Sequence, residues 1–135
     1  MGCLGPLGAK RKLGESVFES VERKLGEDTG LRGEASFVGV LEARMFTGEE
    51  LYLHYSSLMF RVSSLKGEVK RSVAKGENEW LTEEEFYKKK NIMTGMEHHF
   101  RMIKGKRINF VELKQYLNKD GKFLRAELIR EKRCL

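Results

Sequence analysis

The stretch GAKRKLGESVFESVERKLGEDTGL, residues 8–31, decides how the rest of the chain is read. Residues 1–14 are rich in glycine, hold the only proline and have no apolar period, so they read as a loop. From Ser16 to Asp28 the apolar residues Val17, Val21 and Leu25 recur every four positions, which predicts a helix packed on a sheet through that stripe. Ser16 is placed to cap it with Glu19 as capping-box partner, and Thr29-Gly30 supplies the stop. A glycine-rich loop running into a helix start offers unpaired backbone N–H groups, a favourable place for phosphate. Glu27 and Asp28 follow Lys24 by three and four positions, so the three side chains share a helical face. Hard oxygen donors so clustered suit Mg²⁺, which can bridge pyrophosphate oxygens and activate water. The plain alternative is a Lys/Glu surface helix whose charges face solvent.

Residues 8–31 resemble the Nudix box, G-x5-E-x7-R-E-U-x-E-E-x-G-U with U a bulky aliphatic residue, and the spacing fits without a gap. Glu15 falls on the first glutamate, Arg23 on the arginine, Leu25 and Leu31 on the aliphatics, Glu27 on the next glutamate and Gly30 on the late glycine. Three positions depart: Ala9 replaces the first glycine, Asp28 the last glutamate, and Lys24 the glutamate after the arginine. The third change puts an ammonium where family members use a carboxylate, and a cation there repels Mg²⁺ unless it points to substrate phosphate. Further on, GENEWLTEEEF, residues 76–86, is similar to the family's later segment of glutamate, tryptophan and acidic helix start. There Glu77 matches a glutamate that reaches the metal or acts as general base from a flexible loop. Trp80 reads as a core residue.

The resemblance, spanning residues 8–86, implies an α+β or α/β fold with a mixed β-sheet sandwiched between helices. It also implies a hydrolase that splits the pyrophosphate of a nucleoside diphosphate derivative with Mg²⁺ or Mn²⁺. Glu15, Glu27 and Asp28 would be the metal ligands and Glu77 the base, Glu27 sharing the catalytic work. Arg23 would orient the carboxylates and Lys24 would face substrate phosphate. The rival is a degenerate Nudix module that binds nucleotide or RNA without cleaving it, favoured by Lys24 and by the basic last third. The family carries one or two strands before the box, where this chain reads as loop. The C-terminal hairpin, or a second chain in a homodimer, would fill that place.

Elsewhere, Ala35–Ala43 and Leu51–Val62 read as strands of a hairpin turning at Thr47-Gly48-Glu49, and residues 64–79 as a long mobile loop. Thr82 caps a short helix through Phe86, with Glu85 in capping-box position. A helix follows over 95–103, where Met96, Phe100 and Ile103 share a face. Its adjacent His98 and His99 point about 100° apart and cannot chelate one ion as an i, i+4 pair would. Two apolar runs, 107–117 and 123–130, flank Asn118-Lys119-Asp120-Gly121, a hairpin signal, though Leu113–Leu117 fits a helix equally.

A chain of 135 residues is expected to close one core, so residues 1–135 are read as a single domain, 87–135 forming a C-terminal helix and hairpin extension. No apolar run is long enough to span a bilayer, no signal-peptide pattern opens the chain, and Cys3 and Cys134 make no disulfide framework, so a soluble cytoplasmic protein is expected. The Met-Gly-Cys opening lacks the acylation serine or threonine at position 6, which is Pro6. A net charge of +6 suits an anionic partner, a nucleotide or a nucleic acid, although interleaved lysine and glutamate also describe an ordinary solvated surface.

Overall fold

The computed structural model describes residues 5–73, 76–105 and 107–133; the Met-Gly-Cys opening and both cysteines lie outside them. Its elements run α1 (Val17–Thr29), β1 (Arg32–Thr47), β2 (Glu50–Lys66), β3 (Ser72–Val73), β4 (Gly76–Glu77), α2 (Glu83–Tyr87), α3 (Met96–Ile103), β5 (Ile108–Leu117) and β6 (Phe123–Arg133). Four strands form one sheet in the order β2-β1-β5-β6, while β3 and β4 pair separately. Since β1 and β5 run parallel and β5 and β6 antiparallel, the sheet is mixed, in the α+β class the sequence predicts. No described helix is long and apolar enough to cross a membrane.

By contacts the chain divides into two compact units. The first comprises Gly5, Phe37–Phe60 and the described part of Lys89–Leu135. Its core is Leu41, Ala43, Met102, Ile108, Val111 and Leu113, with Tyr55 and Met59 packed against it. The alternation that buries Val111, Leu113, Gln115 and Leu117 is the period of a strand, which settles 113–117 against a helix. Gln115 is fully buried but satisfied: its Nε2 donates to the Thr94 carbonyl at 2.9 Å, and its Oε1 accepts from the Tyr55 hydroxyl at 3.2 Å. The β5–β6 turn closes as its residues predict, Asn118 Oδ1 accepting from the backbone N–H of Asp120 and Lys122. In α3 the buried residues are Met96, His99 and Met102, one position off the expected Met96, Phe100, Ile103 face. His99 tolerates burial because its Nδ1 lies 3.2 Å from the Gly95 carbonyl.

The second unit, Pro6–Ser36 and the described part of Arg61–Lys88, holds the decisive helix. Its bounds follow from its caps. Ser16 Oγ accepts from the Glu19 N–H at 3.1 Å, and Gly30, in the left-handed region, ends the helix with its N–H on the Gly26 carbonyl. The buried face, however, is not the expected one. Val17, Val21 and Leu25 are only half-buried, whereas Ser20, Asp28 and Thr29 are buried. Polar atoms can be buried there because the helix end consumes them: Thr29 Oγ1 donates to the Leu25 carbonyl and accepts from the Leu31 N–H. The expected loop 64–79 is shorter than read, since β2 runs on to Lys66 and β3 pairs with β4. Thr82 caps α2 through the Glu85 N–H.

The tightest backbone approach in the sheet is at Gly39. A Cβ on Gly39, whose φ is +152°, would stand 2.1 Å from the Asn109 carbonyl oxygen, inside β5's backbone. By contrast Gly48, at φ +62° in the β1–β2 turn, has open space around it. Gly39→Ala is therefore expected to cost at least about 3 kcal/mol by forcing β1 off β5, and Gly48→Ala about 1 kcal/mol of left-handed backbone strain. Urea unfolding of the two variants checks this; equal losses would sink the close-approach argument.

Candidate functional site

Arg23, two turns into α1, faces back over the loop that enters the helix. Its Nε and Nη2 grip the two oxygens of Glu15 at 2.6 and 3.1 Å, a bidentate pair. The same Nη2 donates to the Lys10 carbonyl at 3.2 Å, and Nη1 reaches Glu27 Oε2 at 3.3 Å. Glu15 also accepts from the Lys12 N–H at 2.9 Å, and its own N–H closes a turn onto the Lys12 carbonyl at 3.1 Å. Gly14, φ +81°, occupies the turn position that needs a positive φ. Sequence spacing of eight residues thus becomes a clasp between the loop and the second turn of the helix.

Lys24 is placed differently. Its ammonium lies 3.1 Å from Asp28 Oδ1 and 3.5 Å from Glu27 Oε2, with a side chain only 11% exposed. Glu15 and Glu27 are therefore joined through Arg23, and Glu27 and Asp28 through Lys24. Glu77, on β4, is exposed and makes no ion pair or hydrogen bond to these carboxylates among the described residues. Its neighbour Asn78 does reach the helix: Nδ2 donates to the Asp28 carbonyl and, at 2.7 Å, to the Lys70 carbonyl, while the Lys70 N–H meets the Thr29 carbonyl at 2.6 Å. Trp80, read from sequence as core, is 62% exposed; the buried anchor of that segment is Phe86.

These ligands do not fit a divalent ion as arranged. Each of the three carboxylates is held by a guanidinium or an ammonium, and no three His, Cys, Asp or Glu side chains among the described residues are grouped to hold a metal. An ammonium about 4 Å from a divalent ion opposes it by roughly 8 kcal/mol at an effective dielectric of about 20. What the arrangement does offer is a concavity of about 570 Å³ lined by Gly8, Ala9, Lys10, Lys12, Arg23, Lys24 and Glu27. Four cations face one carboxylate there. The residues at the helix start, expected to cradle phosphate through backbone N–H groups, do not line it; one of those groups, the Glu19 N–H, is taken by Ser16. Lys10 and Lys12 carry instead a basic run, Lys10-Arg11-Lys12, that was visible in the sequence between Gly8 and Gly14. Asn78 gave no such signal.

Electrostatics follows the clasp. The hydrogen bond from Arg23, then the Lys12 N–H, hold the Glu15 carboxyl down at about 2 against an ordinary 4.5, and Arg23 is raised in return. Burial pulls Glu27 upward, but its hydrogen bond from Arg23 and the charges of Arg23 and Lys24 outweigh this and keep it low. A depressed folded pKa contributes stability above the unfolded value, lost as pH falls through the folded one. The clasp is thus complete above pH 4.5 and released toward about pH 2. Carboxyl-detected NMR should find Glu15 titrating near 2 in the parent chain and well above that in Arg23→Gln; a parent value near 4.5 would refute the bidentate contact.

No protein-family model matches the chain, and no curated protein does. Among solved structures, it is similar to the Mutator MutT protein from Bacillus halodurans, with a TM-score of 0.69 over 90% of this chain and 78% of that one, at 20% identity. Identity that low speaks for architecture alone: the chain shares the fold of that MutT protein.

Proposed function

We propose that the chain binds the pyrophosphate of a nucleoside diphosphate derivative in the concavity between residues 8–12 and α1. The observation that carries this reading is Lys24: it stands on the acidic face of α1, neutralises Asp28 and Glu27, and lines the same hollow as Lys10, Lys12 and Arg23. Arg23 and Lys24 are compensated by Glu15, Glu27 and Asp28, so the attraction for a polyanion comes chiefly from Lys10 and Lys12, which form no ion pair among the described residues. The MutT/Nudix fold agrees with a nucleotide-type ligand. In this reading Arg23 holds the loop and the carboxylates in place, while Lys10, Lys12 and Lys24 take the phosphate oxygens.

Hydrolysis with Mg²⁺ or Mn²⁺ is the second reading, favoured by the Glu15–Arg23–Glu27 network, which keeps two box carboxylates together. It needs Lys24 to leave Asp28 and Glu27, and Glu77 to come in from β4 as base. Asn78 anchors the adjoining residue to the end of α1, so the approach is short in sequence terms.

Lys24→Glu separates the two, since it changes the charge of this face by two units. Under the binding reading it weakens affinity for nucleoside-diphosphate sugars and dinucleotides by at least about tenfold, the worth of one charge-assisted hydrogen bond, and neither protein releases monophosphate. Calorimetry with and without millimolar Mg²⁺, together with a monophosphate assay, provides the check. Tighter Mg²⁺ binding with new monophosphate release in Lys24→Glu would establish the hydrolase instead.

A further inference from the structure

The net charge of +6 is not spread evenly along the chain. Residues 37–60 and 89–135, which with the uncharged opening make up the first unit, hold 14 Lys and Arg against 8 Asp and Glu. The second unit, which carries the pyrophosphate hollow, holds 12 of each. The whole surplus therefore sits on the unit that contains β5 and β6. On β5, Val111, Leu113 and Gln115 are buried, so the alternate residues Glu112, Lys114 and Tyr116 stand on the opposite face. Cross-strand register sets Phe46 beside Tyr116 and Tyr116 beside Arg125, a row that crosses β1, β5 and β6. The row is a stack: the Phe46 and Tyr116 rings lie 5.6 Å apart at 22°, and the Arg125 guanidinium carbon lies 3.8 Å from the centre of the Tyr116 ring. It ends in an arginine side chain that is 62% exposed. Along the same face Arg130 stands opposite Glu112 and Lys132 opposite Phe110. Glu112 is taken by Arg44 at 2.9 Å, while Lys114, Arg130 and Lys132 form no ion pair among the described residues.

We infer that this face of the sheet is a platform for single-stranded nucleic acid, with a base stacked on the Arg125 guanidinium and the phosphates met by Lys114, Arg130 and Lys132. Bases stack on guanidinium planes as they do on aromatic rings, and Arg125 is the open end of a stack already two rings deep. The unpaired cations beside it supply the attraction that a phosphodiester chain requires. An acidic peptide matches the charge but brings no planar group to the row, and a duplex keeps its base faces to itself. These residues belong to a different unit from the pyrophosphate hollow, so platform and hollow can fail separately.

Fluorescence anisotropy with a labelled oligothymidylate of about twelve nucleotides, within the usual site size, tests the platform against an abasic oligonucleotide of equal length and charge. The parent chain should bind the base-bearing strand at least about fivefold more tightly than the abasic one, the worth of one stacked base. Arg125→Lys keeps the charge and removes the plane, so it should abolish that ratio while leaving the salt dependence of binding unchanged. Arg130→Gln and Lys132→Gln should do the reverse, each lowering the salt slope by about one and sparing the ratio. Arg32→Gln removes an exposed cation from the second unit and should alter neither quantity. Arg125, Arg130 and Lys132 are all exposed, and matching thermal melts will show that the variants remain folded. Equal affinity for the two strands, a ratio that survives Arg125→Lys, or a duplex bound as tightly as the single strand overturns the platform. So does a salt slope that falls as much in Arg32→Gln as in Arg130→Gln, or the absence of binding at low salt.

Discussion

Everything around the candidate site depends on one guanidinium. Arg23 touches the entering loop at Lys10, the residue before the N-cap at Glu15 and the third turn of α1 at Glu27. A planar fork with a very high pKa suits that task, because it stays charged at any pH where the fold survives and its bidentate grip fixes angle as well as distance. A lysine at the same position would supply charge without that geometry. The loop's path past Lys10 is held by the clasp beneath it, so loop order depends on a residue whose own charge is already compensated.

Lys24 sets the sign of the site. With an ammonium there, the acidic end of this helical face is internally neutralised, Lys24 pairing with Asp28 and Glu27. The contest is decided by electrostatics at short range and low exposure, where a change of two charge units outweighs the small differences in shape between Glu and Lys. Similarity of fold to a MutT protein therefore leaves the chemistry to be argued from side chains, as architecture in general does.

The helix bounds and the hairpin at Asn118–Gly121 were legible because local rules act on them, whereas the mixed sheet followed only from the resemblance: Ser16 and Gly30 are caps whatever packs nearby, and the Asn118 side chain shapes its own turn. The buried face of α1 was not legible. Periodicity scores Val17, Val21 and Leu25 as inside, but the helix end buries Asp28 and Thr29, whose polar atoms are consumed by Lys24, Leu25 and Leu31. Trp80 misleads for the opposite reason, since a large aromatic ring is a strong prior for burial and Phe86 had already taken the anchoring role. In the site, the order Glu15, Arg23, Glu27 could be read from spacing; which cation would hold which carboxylate, and that Lys10 and Arg11 form no ion pair among the described residues, required the loop's path.

Buried Gln115 has a consequence of a different kind. Its two ends are used by partners from separate parts of the chain, the Tyr55 hydroxyl on β2 and the Thr94 carbonyl just before α3. A β-strand that slips by one residue inverts its faces, and here the slip would strand an amide in hydrocarbon while leaving a tyrosine hydroxyl and a carbonyl unanswered. Apolar neighbours such as Val111 and Leu113 could exchange places at modest cost, since grease is indifferent to which grease it meets. The amide is not indifferent, and it acts as a registration mark that lets only one alignment of β5 be dry and fully bonded.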